Sequence, residues 1–233
     1  YDIGIRDWSS DVCSSDLAIV ILGYNEIYRI VMEERTRKIG IQPDKAEWVH
    51  ANLTSNIAAY LTSVSRLNVP GGTMVTLGML HDIARNIMYR SLPQPEGGFS
   101  IDPRQHLKQE IDFYGIDHAT LGGILAQRWS MPGRLVSCIA RHHWPMFWPL
   151  RDLAQSNNDI IKELSILAIS DIAAKNFTQE ITGPYIGDDY YRFINKPPRM
   201  DSILIPEITR DLRRIRKVTI DSEETSDIIE QAV

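Results

Sequence analysis

Apolar residues recur at three- and four-residue spacing along most of this 233-residue chain, the signature of amphipathic helices. Into those apolar stripes fall five of the six histidines and one aspartate: His50, His81, His118, His142, His143 and Asp171. Taken alone, each is an ordinary hydrogen-bonded core residue. Taken together they constrain the fold severely. An unpaired buried polar group costs about 1–3 kcal/mol, and an unpaired buried carboxylate costs more and tends to neutralise instead. Six such groups scattered separately would consume most of a typical folding stability of about 5–15 kcal/mol. Gathered around divalent cations they compensate one another, and imidazole nitrogen with carboxylate oxygen is a donor set for Fe, Mn, Zn or Co. The expectation is an all-α domain whose helices converge on one shared site.

The text supports that class along its length. From Ala18, the residues Ile19, Leu22, Ile27, Ile30 and Val31 mark a first stripe that ends in charge near Gly40. Pro43 and Asp44 open a long helix to about Leu67, carrying His50 with Leu53, Ile57, Leu61 and Val64. After the turn Asn68 to Gly72, a buried helix is expected to carry Leu77, Leu80, His81, Asp82, Ala84, Ile87 and Met88. Adjacent helical residues point about 100° apart, so His81 and Asp82 can approach one small cation from two sides. Residues 91–105 are rich in Pro and Gly and form a loop long enough to edge or cover a site.

Short helices follow over 106–113 and 117–129, with Asp117 as N-cap and His118, Leu121, Gly122, Leu125 and Trp129 on one face. Pro132 opens a helix that runs into His142 and His143. The next helix ends near Phe177, with Ile160, Leu164, Leu167, Asp171 and Ala174 on one face. Residues 183–198 read as loop, and 206–217 as a basic amphipathic helix ahead of an acidic tail. Trp129, Trp144 and Trp148 are expected to pack in the core and its loops, and His106, in a polar stretch, to be an ordinary hydrogen-bonded residue.

Residues 1–17 stand apart. Trp8 to Val12 and Cys13 to Leu17 are near-duplicates without helical or strand period, and they resemble the translated read-through of a sequencing adapter. The expected organisation is therefore an artefact or tail over 1–17, one helical domain over 18–200, and a C-terminal helix with an acidic tail over 201–233. Composition excludes several classes. A net charge of −5 offers no general attraction to polymeric nucleic acid or an anionic membrane. No apolar run reaches the roughly 18 residues of a membrane span. Two cysteines give no disulfide framework, which fits a cytoplasmic protein.

The series His50, His81-Asp82, His118, His142-His143 and Asp171 resembles the HD superfamily of metal-dependent phosphohydrolases. The connecting text is closer to its HDOD branch (HD-related output domain), through Ala18 to Gly23, Trp48-Val49-His50, Gly78 to Ile83, Tyr114 to Gly122, Trp129 to Pro132, Arg141 to Pro145 and Leu167 to Asp171. The resemblance implies a bundle of orthogonal helices and a place in bacterial signal transduction. HDOD domains begin with further helices ahead of the Ala18 to Gly23 stretch, so the resemblance also implies a truncated N-terminus. It departs from the related cyclic-di-GMP phosphodiesterases, where a Gly-Tyr-Pro signature follows the paired histidines. Here Trp144-Pro145-Met146 stands instead, and Ala84-Arg85 replaces their Gly-Lys.

Carried onto this chain, the resemblance implies one divalent ion held by His50, His81, Asp82 and Asp171. Asp82 would bridge to a second ion at His118, His142 and His143. One or two ions of Fe, Mn, Zn, Co or Mg are the expected cofactor, with no organic cofactor. Asp82 and Arg85 are the expected catalytic residues, Arg85 neutralising the phosphate of a phosphorylated small molecule or nucleotide. The alternative is a non-catalytic module that transmits state to a signalling protein through helix contacts, with a structural or vestigial metal site.

Overall fold

The computed structural model describes residues 45–183 and 185–217, all within a unit that begins at Pro43. The first stripe, the 1–17 stretch and the acidic tail lie outside the described residues. Among the described residues ten helices follow one another and there is no strand. They are α1 (Lys45–Ser65), α2 (Gly71–Leu80), α3 (Ile83–Ser91), α4 (Pro103–Tyr114), α5 (His118–Arg128), α6 (Gly133–Arg141), α7 (Leu150–Ser156), α8 (Ile161–Phe177), α9 (Asp188–Phe193) and α10 (206–217). Short 3-10 turns cover Trp144–Met146 and Met200–Ser202. The fold is all-helical, as the stripes require. No described helix is long and apolar enough to cross a membrane.

Helix α8 is the axis. Fourteen of its residues, from Ile161 to Lys175, are buried around the whole circumference, the mark of a helix enclosed by others. Helices α1, α2, α6 and α9 pack on it. Its neighbours contribute Leu53, Ile57 and Leu61 from α1, Met74 and Leu77 from α2 and Ile139 from α6. Tyr190 and Tyr191 of α9 and Ile208 and Leu212 of α10 extend the same core.

Two helix crossings are closer than any side chain allows. A Cβ placed on Gly78 of α2 would sit 2.4 Å from the Ser55 Cα and 2.7 Å from its amide nitrogen, so α1 and α2 touch backbone to backbone. One on Gly123 of α5 would lie 2.5 Å from the Ala140 Cβ, fixing α5 against α6. Gly78 stands three residues before His81, and Ala140 two before His142. Each crossing therefore seats part of the polar cluster.

Three sequence expectations need correction. His81 and Asp82 do not lie within one helix. Asp82 takes φ −97° and ψ 15°, the Arg85 amide bonds the Asp82 carbonyl at 2.9 Å, and the chain turns there between α2 and α3. Residues 183–198 are not all loop, because Asp188–Phe193 forms α9 with Tyr190 and Tyr191 buried. Trp144 and Trp148 are not core packing: they are 39% and 56% exposed, with Phe147 at 49% between them. Pro145 breaks the helical register and turns these rings outward from the 3-10 turn. Trp129 is half-buried at the end of α5.

Candidate metal centre

The turn at Asp82 gives the site its shape. His81 ends one helix and Asp82 begins the next, so the imidazole and the carboxylate reach the same space from different directions. Helix α1 brings His50, α5 brings His118 at its first residue, the end of α6 brings His142 and His143, and α8 brings Asp171. All seven side chains are buried.

They fall into two groups that share Asp82: His50, His81, Asp82 and Asp171, and Asp82, His118, His142 and His143. Within each group one ligand atom per residue lies within 4.8 Å of the others, so both could hold a metal ion. Asp82 divides its oxygens between them. Its Oδ2 is 3.7 Å from His50 Nε2 and 3.6 Å from His81 Nε2. Its Oδ1 is 3.2 Å from His118 Nε2 and 3.1 Å from His142 Nε2. Asp171 Oδ1 closes the first group, 3.0 Å from His50 Nε2 and 3.6 Å from His81 Nε2. In the second, His118 Nε2 meets His143 Nε2 at 2.8 Å.

Outer contacts aim these rings inward. His81 Nδ1 donates to the Gly78 carbonyl at 2.9 Å, and His142 Nδ1 to the Ile139 carbonyl at 2.7 Å. His118 Nδ1 donates to Glu110 of α4, 2.7 Å from Oε2, and the same carboxylate oxygen accepts the His118 amide at 2.9 Å. Each of these three rings therefore turns Nε2 toward the centre, the arrangement in which an outer partner fixes a metal-ligating tautomer.

The donor chemistry fits a cation. Burial keeps the His142 pKa below its usual value despite the neighbouring Asp82 carboxylate, so its ring is neutral. With the proton on Nδ1, its Nε2 lone pair faces the Asp82 carboxylate oxygen at 3.1 Å, acceptor against acceptor. A positive charge between them removes the repulsion. Burial likewise lowers His143, helped by repulsion from His142 and His118. Burial opposes the charge of His118, but Asp82 and Glu110 outweigh it and raise its pKa to about 9. Burial also opposes ionisation of Asp82 and Asp171. His81 and His118 hold Asp82 well below the usual carboxylate range, and Lys175 and His50 do the same for Asp171.

Arg85 on α3 reaches Asp82 Oδ2 and Glu47 Oε1, both at 3.4 Å. Beside the second group opens a cavity of about 490 Å³, whose wall includes Arg85, Phe99, His106, His118, His143 and Lys175. Phe99 belongs to the Pro/Gly-rich segment, so that segment edges the cavity. His106 bonds Tyr89 Oη and Ser100 O and stacks on Phe99 with ring centroids 4.9 Å apart.

Sequence reasoning missed three charged groups here: Glu110, Lys175 and Glu47. Glu110 sits three residues after Leu107, and Lys175 four after Asp171, each on a buried face. The stripe criterion that selects the histidines selects these two as well once acids and lysines are admitted to it.

The sequence matches the HDOD domain family over residues 6–145, more than half of the chain. That span includes every histidine of the two groups and Asp82, and leaves out Asp171 and Lys175. A search of curated proteins gave no match. Among solved structures, an HDOD domain protein of unknown function from Geobacter sulfurreducens superposes with a TM-score of 0.55 at 16% identity, covering 91% of this chain and 75% of that one. A protein from Shewanella amazonensis SB2B, described as a candidate phosphohydrolase, superposes with a TM-score of 0.50 at 21% identity over 88% of this chain and 71% of its own. At such identities the likeness is one of fold, while the family match carries the assignment: this chain belongs to the HDOD family, related to the HD phosphohydrolases.

Proposed function

We propose that this HDOD domain binds two divalent ions and hydrolyses a phosphoester or nucleotide. The observation that carries the reading is Asp82, one carboxylate presenting a separate oxygen to each of two buried ligand groups. A single structural ion would need only one of those groups. Divalent ions there would polarise a phosphoryl oxygen and acidify a water molecule.

The chain's own residues supply the rest. His50, His81 and Asp171 hold one side of Asp82, and His118, His142 and His143 the other. Arg85 neutralises the substrate phosphate from the cavity wall, and burial excludes bulk water, which strengthens every charge interaction inside. Five imidazoles make a nitrogen-rich set that suits Mn, Fe, Co or Zn better than Mg, which prefers oxygen and retained water.

A second reading is a non-catalytic signalling module with a structural metal site. Exposed Trp144, Phe147 and Trp148, directly after His143, favour it by offering an apolar contact surface beside the ligands. Metal analysis of the purified protein, followed by assay of nucleotides and generic phosphoesters with Mn²⁺ or Fe²⁺, separates the two. Turnover that Asp82→Ala abolishes by about a thousandfold or more supports the hydrolase. A metal-loaded protein inert on all of these substrates establishes the module.

A further inference from the structure

Lys175 is the unexpected cation of this site. It is 7% exposed, on the innermost helix, four residues beyond Asp171. Its Nζ lies 2.7 Å from Asp171 Oδ1 and 3.0 Å from Oδ2. Oδ1 is the same oxygen that stands 3.0 Å from His50 Nε2 and 3.6 Å from His81 Nε2. The ammonium and an ion in the first group therefore compete for one oxygen. Lys175 also belongs to the wall of the 490 Å³ cavity, together with Arg85. A lysine is a point charge on a flexible four-carbon stem, able to exchange one anionic partner for another without moving its helix.

Resting on the two-ion reading above, we propose that Lys175 is a metal-gated anion receptor. With the first group empty of metal, its ammonium neutralises Asp171. With a divalent ion held by the first group, the ammonium would leave Asp171, turn into the cavity and, with Arg85, receive the substrate's phosphate.

The charges agree with that exchange. Glu47, Asp82, Glu110 and Asp171 place four carboxylates around the two fixed cations Arg85 and Lys175. Among the described residues these fixed charges sum to two negative, which the His118 proton reduces, so the metal-free site carries no net positive charge. Two divalent ions in place of that proton turn the balance to two positive, the charge that a phosphomonoester dianion cancels. Without the ions the cavity has no net attraction for phosphate. The cavity's own acid, Glu180, is exposed and accepts from Thr178 Oγ1 at 2.7 Å, so it does not engage Lys175. Substrate would thus be admitted only after metal loading.

Titration calorimetry tests the exchange on the full chain, with Mn²⁺ and inorganic phosphate as probes. Lys175→Met removes the competitor and the receptor together. It should bind the first Mn²⁺ about tenfold more tightly than the parent and, once loaded, bind phosphate at least tenfold more weakly. Lys175→Arg should restore phosphate binding. If Lys175→Met folds only with metal present, it is prepared in Mn²⁺ and phosphate affinity alone decides. Phosphate affinity unchanged in loaded Lys175→Met, with the parent binding both probes, overturns the lysine's role and leaves the two-ion reading standing. A parent chain that takes up no divalent ion overturns both.

Discussion

The two halves of the site hold similar ligands in different settings. Around His50, His81 and Asp171 the set carries its own carboxylate and its own internal cation, Lys175, beneath the innermost helix. Around His118, His142 and His143 Asp82 is the one carboxylate in the set, two of the three imidazoles are pushed toward neutrality by burial, and the cavity opens directly alongside. The contrast teaches a division of labour. In the first half Lys175 neutralises Asp171 without metal, while the second keeps two neutral imidazoles beside the cavity, where a substrate would meet them.

The helix crossings break this comparison most forcefully. At Gly78 an added Cβ meets the Ser55 backbone, which no neighbouring side chain can relieve. At Gly123 it meets the Ala140 Cβ. Alanine would gain about 1 kcal/mol of helix propensity at either position, against an overpacking cost of about 1–3 kcal/mol or more. Gly78→Ala, at the upper end of that cost, is therefore expected to lose about 2 kcal/mol or more in a denaturant melt and to scatter the first half. Gly123→Ala should lose less, and Ala140→Gly should rescue it in part. Equal losses at both positions, or no rescue, would show that the halves are not seated by these crossings.

Protons sharpen the comparison next. The folded pKa of His118, about 9, lies above its ordinary 6.5. The metal-free chain therefore holds this group's stabilisation in full below pH 6.5 and loses it as pH rises through about 9. Metal binding runs the other way, because an ion at the second half must displace the His118 proton. Its affinity should rise about tenfold per pH unit well below pH 9 and level off there, about fiftyfold between pH 7 and pH 9. His142 and His143, already lowered, release no proton, so one proton should leave per ion at this half. Calorimetry in buffers of different ionisation enthalpy counts it. A release clearly above one would mean that burial does not depress the paired histidines.

The fold was legible because its signal is local. Helical stripes such as Leu53, Ile57 and Leu61 announce buried faces regardless of what packs on them, and polar residues within them mark the few points that must meet. That logic gathered His50, His81, His118, His142, His143 and Asp171 in expectation, and the structure brings them together with Asp82. It failed where geometry depends on one dihedral or on a distant partner. The turn at Asp82 leaves no mark on hydrophobic period, because the apolar stripe of Leu77, Leu80, Ala84, Ile87 and Met88 runs on through it. The outward turn of Trp144 and Trp148 reverses the usual inference from aromatic content to core. Glu110 and Lys175 were passed over because a charged residue on an apolar stripe is normally solvated, and only their contacts with His118 and Asp171 reveal why they are inside.

The smallest expected effect separates the halves most selectively. Of the seven ligands Glu110 supports His118 alone, accepting both its amide and its Nδ1 proton. Among the described residues the first half has no carboxylate in that role, since His81 leans on the Gly78 carbonyl. Glu110→Gln keeps an acceptor of the same size but removes the charge that burial opposes and that His118, His106 and Tyr89 hold ionised. Loss of such outer support typically weakens metal binding by about 10–100-fold. The retained acceptor puts the expected loss near the lower end, about tenfold, and only at the His118 ion. At limiting Mn²⁺ the variant should take one ion where the parent takes two, and its affinity should depend less steeply on pH, because a His118 without Glu110 holds its proton less tightly. Equal weakening of both ions would mean that Asp82 couples the halves too strongly for either to act separately, and the division of labour would fall with it.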